Sequence, residues 1–214
     1  MQGSIGVITT PDYNGRLTEA KGRARPKSGR INAGGEWPHT WREVSLRRTA
    51  LGDGATAAEL RALLTEYFEE ANRLGQAYFD DEAFGADVEA IVDGDVERLR
   101  TATLDEPLFV ARIDGALVGS VQLKRLDASR VEVKRMYVTP AHRGEGIGRS
   151  LVELVLAEAR ADGFETLLLG LAPYHGAAGS LYESLGFEYR PAYEENQVPE
   201  SVEEWYFMER SLDA

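Results

Sequence analysis

Three glycines alternate with other residues in Arg143-Gly144-Glu145-Gly146-Ile147-Gly148-Arg149. At this spacing backbone N–H groups can crowd toward one point. A helical pattern begins directly afterwards, so the partial positive charge of a helix N-terminus faces the same point. Arg143 and Arg149 add full charges. Together these features make a cradle for a phosphate or pyrophosphate. Several chemistries share such a cradle. A Walker loop ends in Gly-Lys-Ser/Thr, whereas this segment ends in Gly148-Arg149-Ser150 without the preceding spacing. A dinucleotide fingerprint needs a third glycine where Arg149 stands, and an acid at the end of the next strand. Glu165 stands at that strand's start, and Gly170 lies near its end. A tight turn capping a helix would need no ligand at all.

The loop has neighbours that narrow the choice. Glu132-Val-Lys-Arg-Met-Tyr-Val-Thr-Pro140 precedes it and Leu181-Tyr182-Glu-Ser-Leu-Gly-Phe187 follows. With Arg143-x-x-Gly146-x-Gly148, these segments resemble, in order and distance, the acetyl-CoA signature and flanking elements of the GNAT superfamily of N-acetyltransferases. The resemblance extends over residues 43–212 in element order and is sharpest over 130–190. It implies an α/β (α+β) fold with a mixed, largely antiparallel central sheet and helices on both faces. It also implies acetyl-CoA as co-substrate, held by Arg143, Gly144, Glu145, Gly146, Ile147, Gly148 and Arg149. Two parallel strands, 130–139 and 165–171, would part to admit the pantetheine arm. The arm's amides would pair with the backbone of Met136, Tyr137 and Val138, as an added strand does. The Val138 N–H would polarise the thioester carbonyl.

The resemblance further implies a catalytic pair. Glu132, six residues before Val138, stands where many such enzymes carry a base, and Tyr182 stands where they carry the acid that protonates the departing thiolate. A free alkylamine has a pKa of about 10, so an acceptor must shed a proton at neutral pH. Glu132 could instead be a strand glutamate paired with Lys134 or Arg135, and Tyr182 a core tyrosine. Many relatives carry Asn seven residues before the tyrosine; here His175 occupies that position. It could donate to CoA, line the acceptor pocket or face solvent. Arg135 could bind an acceptor carboxylate, which would favour amino-acid-like substrates. The reaction implied is transfer of an acetyl group to a primary amine by direct attack in a ternary complex, the acceptor being a small molecule or a peptide. A non-catalytic acyl-CoA-binding or sensing module is the alternative. No H-E-x-x-H and no Cys occur, so no metal is expected.

These residues need elements to position them. Glu43–Thr49 reads as a strand. Leu60, Leu63, Leu64, Tyr67 and Ala71 recur at helical period, predicting a helix to about Leu74, and Val88, Ile91, Val92 and Leu99 predict another. Residues 107–112 and 117–123 are strand-like and joined at Asp114-Gly115, a hairpin signal. A strand at 130–139 and a helix from Gly146 to Ala161 follow. Next come a strand at 165–171 and a short helix from Gly176 to Leu185 stopped by Gly186. Strands at 187–193 and 204–209 complete the order. The first two helices and the loops at 79–87 and 191–203 are expected to build the acceptor pocket.

The chain has 214 residues and a net charge of −12, which argues against nucleic acid or an anionic membrane as partner. No apolar run approaches the roughly 20 residues that span a bilayer, and the N-terminal residues lack a secretory pattern. The lack of Cys fits a reducing cytoplasm, the expected location. Residues 1–40 carry six Lys/Arg against three Asp/Glu and no sustained periodicity. They are expected to be a flexible extension to a single acetyltransferase domain at 41–214. Homodimers are common among such enzymes, although no residue pattern here indicates one.

Overall fold

The computed structural model describes residues 8–11, 17–24, 42–49, 54–101, 106–198, 202 and 204–212. Its elements are β1 (Ile8–Pro11), β2 (Leu17–Ala24), β3 (Arg42–Thr49), α1 (Gly54–Phe79), α2 (Val88–Thr101), β4 (Leu108–Ile113), β5 (Ala116–Arg125), β6 (Arg130–Val138), α3 (Ile147–Ala161), β7 (Thr166–Leu171), α4 (Gly176–Ser184), β8 (Glu188–Arg190) and β9 (Tyr206–Ser211). The strands form one sheet in the order β1-β2-β3-β4-β5-β6-β7-β9-β8. Every neighbouring pair is antiparallel except β6 and β7.

Alternation along the strands feeds two cores. Phe109, Ala111 and Ile113 of β4 join a cluster with Leu151, Val155 and Ala159 of α3 and Tyr182 of α4. Leu108 and Val110, pointing the other way, join Leu60, Leu63 and Leu64 of α1 and Val92, Val96 and Leu99 of α2. Successive strand residues face opposite sides, so this sheet is covered on both. Each fully buried leucine in these clusters is worth about 2 kcal/mol. The Asp114-Gly115 turn takes φ 51° and 85°, the left-handed pair that a two-residue hairpin requires.

Boundaries differ from the expected ones where local chemistry intervenes. The first helix runs five residues past Leu74 because Gly75 lets the Phe84 ring lie against its backbone; a Cβ there would sit 2.2 Å from Phe84 Cε1. β8 ends at Arg190, not Tyr193, since Pro191 offers no N–H to a ladder. Within residues 1–40, expected to be a flexible extension, the two described segments are strands: β2 pairs with β3, and β1 with β2.

Two features of β6 shape the site. Its ladder to β7 has three pairs, Arg130↔Thr166, Val131↔Leu167 and Glu132↔Leu168, and then stops. Its register against β5 slips between Ser120↔Tyr137 and Gln122↔Lys134, so β6 carries one extra residue there. Arg135, inside the slip, takes φ 52°. This is a β-bulge, which bends and twists the strand that carries it. It bends the end of β6 where β7 no longer follows.

Candidate active site

The parted strands open into a cleft of about 1630 Å³. Its walls come from β6, β7, α1, α2, α4, the segment 79–86 and, after α4, Asn196, Gln197, Val198, Val202, Glu204 and Trp205. Of the predicted site residues, Glu132, Met136, Tyr137, Val138, Arg143, Gly144, Gly148, His175 and Tyr182 line it. Glu145, Gly146, Ile147 and Arg149 do not. From Val133 to Val138, β6 has no strand partner on its β7 side among the described residues, which leaves an edge that an extended amide chain can join.

Glu132 is 1% exposed. Its Oε1 accepts from the Tyr193 hydroxyl at 2.5 Å and lies 3.0 Å from Lys134 Nζ. Its Oε2 is buried without a hydrogen-bond partner among the described residues. One carboxylate oxygen is therefore saturated and the other is left for an incoming donor, since an unmatched buried carboxylate oxygen is costly. The Lys134 ammonium is held below its ordinary pKa by burial, while Glu132 acts in the opposite sense. Tyr182 is 5% exposed, and burial holds its hydroxyl well above the usual phenol range. It is protonated at neutral pH, as a proton donor must be.

The loop is built from glycines in two distinct roles. Gly144 and Gly146 take φ 77° and 88°, conformations that disfavour any side chain. Gly146 is the N-cap of α3. Gly148 lies in the first turn of α3, where a Cβ would meet Met136 Cε at 3.4 Å, an ordinary contact. Ile147 is 1% exposed and belongs to the core, so it can offer the cradle only its backbone. The Glu145 carboxylate turns inward to His142, 3.5 Å away, which takes its negative charge off the loop surface.

The arginines have partners within the chain. Arg143 donates to both oxygens of Glu70 on α1, at 2.8 and 2.5 Å, and from Nε to the Val138 carbonyl. Glu70 also accepts from the Tyr137 hydroxyl, and these donors, Arg143 first, hold its carboxyl below the usual range. Arg149 reaches Ser184 on α4 and Glu153. Arg135 does not present a free guanidinium to an acceptor. It forms a two-point pair with Asp95 of α2, and its guanidinium lies 5.1 Å from the Phe68 ring centre. His175 lines the cleft beside Tyr174, and burial keeps its imidazole below its ordinary pKa, so it is largely neutral at pH 7. Sequence reasoning missed Glu70, Asp95 and Tyr193. Glu70 sits in an acidic run that reads as a solvated helix face, and these residues lie 73, 40 and 61 positions from the partners they meet.

The geometry of a glycine loop beside a parted parallel pair agrees with the comparisons. The family described as "Acetyltransferase (GNAT) domain" matches residues 105–189. An IAA acetyltransferase from Azospirillum brasilense is 33% identical over 135 residues, covering 62% of this chain and 82% of that protein. An N-acetylaspartate synthetase from Xenopus tropicalis is 33% identical over 106 residues, covering 49% of this chain but 39% of that protein. The PaiA N-acetyltransferase of Thermoplasma acidophilum, solved in complex with coenzyme A, superposes with a TM-score of 0.59 at 16% identity, covering 78% of this chain and 98% of that one. The chain belongs to the GNAT family of acetyltransferases. It is accordingly an acyltransferase by family.

Proposed function

We propose that the cleft binds acetyl-CoA with its pyrophosphate on the 143–149 loop and its pantetheine arm along Val133–Val138, and that an acetyl group passes directly to a primary amine. The observation that carries this reading is the end of the β6–β7 ladder at Glu132↔Leu168, one side of β6 being left without a strand partner beside the glycine loop. The loop suits the ligand: Gly144 and Gly146 hold left-handed conformations, and a Cβ at Gly144 would meet nothing within 4 Å. The coenzyme A complex of the Thermoplasma relative supports the choice of ligand.

Glu132 takes the proton that the amine must lose, directly or through water, on its unpartnered Oε2. Attack of the amine nitrogen on the thioester carbonyl forms the C–N bond. Scission of the C–S bond releases a thiolate, which Tyr182 protonates. The Val138 N–H polarises the carbonyl. No acyl-enzyme is needed, because the sequence has neither Cys nor a G-x-S-x-G elbow.

Glu132→Gln and Tyr182→Phe test the scheme. Each should lower kcat about a hundredfold or more while leaving the Kd for acetyl-CoA nearly intact. Turnover like that of the wild type in both variants would remove the acid–base assignment.

A further inference from the structure

Charges and rings in the cleft are distributed in a way that bears on the acceptor. The cleft's three Lys/Arg side chains, Lys134, Arg135 and Arg143, face Glu132, Asp95 and Glu70 respectively. A carboxylate on the acceptor would have to break one of these pairs to find a cation. Glu204, at the mouth, instead accepts from the hydroxyls of Tyr78 and Tyr206. No cation is paired with it among the described residues. Away from the pyrophosphate loop, the cleft therefore suits a cation better than an anion.

The wall beyond Glu132 is aromatic. Phe84, Phe79, Tyr174 and Trp205 form a continuous series, with centroid separations of 4.7, 6.3 and 6.4 Å, and all four line the cleft. Its two ends rest on glycines. Phe84 lies against Gly75 of α1, and Trp205 against Gly170 of β7, where a Cβ would come within 3.1 Å of the indole Nε1. Side chains at those two positions would push the rings into the cleft or off it. Trp205 also packs on the cluster of Leu168, Tyr193 and Phe207, and Tyr193 is the residue that holds Glu132. An aromatic wall and the base candidate thus share one packed unit.

We propose that the acceptor is an arylalkyl primary amine without a carboxylate. Its ring would stack on the Phe79–Tyr174–Trp205 wall, and its amine would reach Glu132. The ammonium form, on its way in, is favoured by the aromatic faces and Glu204. The inference rests on the acetyl-transfer reading and sets this chain apart from the N-acetylaspartate synthetase relative, whose name specifies an acidic amino acid product.

The test compares kcat/KM of the 214-residue chain, by thiol release from acetyl-CoA, for three amines: 2-phenylethylamine, phenylalanine and n-butylamine. The first pair differs by the carboxylate, and the other comparison removes the ring. 2-Phenylethylamine should exceed each of the others by about tenfold or more. Trp205→Ala should narrow its advantage over n-butylamine. Equal or faster turnover of phenylalanine, or equal turnover of n-butylamine, would overturn the inference and leave acetyl transfer standing. Turnover of none of a wide amine panel, with acetyl-CoA still raising the melting temperature, would overturn acetyl transfer and the inference together.

Discussion

At the scale of single residues, the carboxylate of Glu132 is asymmetric. Oε1 faces Tyr193 and Lys134, and Oε2 faces no partner among the described residues. Tyr193→Phe removes one of the two donors that hold Oε1 and should lower kcat by about fivefold while leaving the Kd for acetyl-CoA unchanged. Steady-state kinetics and calorimetric titration measure this, and an unchanged kcat would reduce Tyr193 to packing. The place of Glu132 in the cleft was legible from its distance to Val138 in a motif, because strand and loop are contiguous in sequence. Tyr193 was not: its contact spans 61 residues, and nothing local to 193 marks a tyrosine that reaches a buried acid. The same holds for Arg135. Its type suggested a carboxylate partner, and the partner is Asp95 within the chain.

At the scale of elements, glycine spacing was readable while strand irregularity was not. The loop's φ angles of 77° and 88° at Gly144 and Gly146 follow from the residue type. The bulge at Arg135 lies within Val-Lys-Arg-Met-Tyr-Val, whose residue types give no sign of a break in register. Two substitutions separate the loop's glycines. Gly146→Ala should cost about 1 kcal/mol or more of stability from its left-handed backbone and weaken acetyl-CoA binding. Gly148→Ala should be close to neutral in both, as its Cβ has room. Thermal denaturation and calorimetric titration compare them. The turn from β5 to β6 offers a pH test. Asp127 accepts from the backbone N–H groups of Ser129 and Arg130 and from Arg130 Nε, which hold its carboxyl at about 2. A value depressed from 3.8 contributes stability at higher pH that is lost as pH falls through 2. The melting temperature of Asp127→Asn should lie below that of the wild type at neutral pH and converge with it toward pH 2.

At the scale of the whole molecule, the alternation of helices and strands from β3 onward was legible because each element carries its own periodicity. The added edge of β1 and β2 was not. Residues 1–40 lack sustained periodicity, and backbone ladders, which any sequence can form, leave no such mark. The cleft lies where elements from both faces of the sheet converge, so a ligand there should tie the two cores together. Acetyl-CoA at a hundred times its Kd should add about 2.7 kcal/mol of stability, or about 5–10 °C in melting temperature for a chain of this size. NAD and ATP at equal concentration should give no comparable shift.

The resting place of Trp205 on Gly170 has an optical consequence. The indole is partly exposed at the mouth of the cleft, with Tyr174 on one side and a strand backbone beneath. An arylalkyl guest stacked there would displace solvent from the excited ring and move its emission toward the blue. The wild-type spectrum, with Trp205→Phe subtracted, would then give acceptor occupancy directly, with no turnover required.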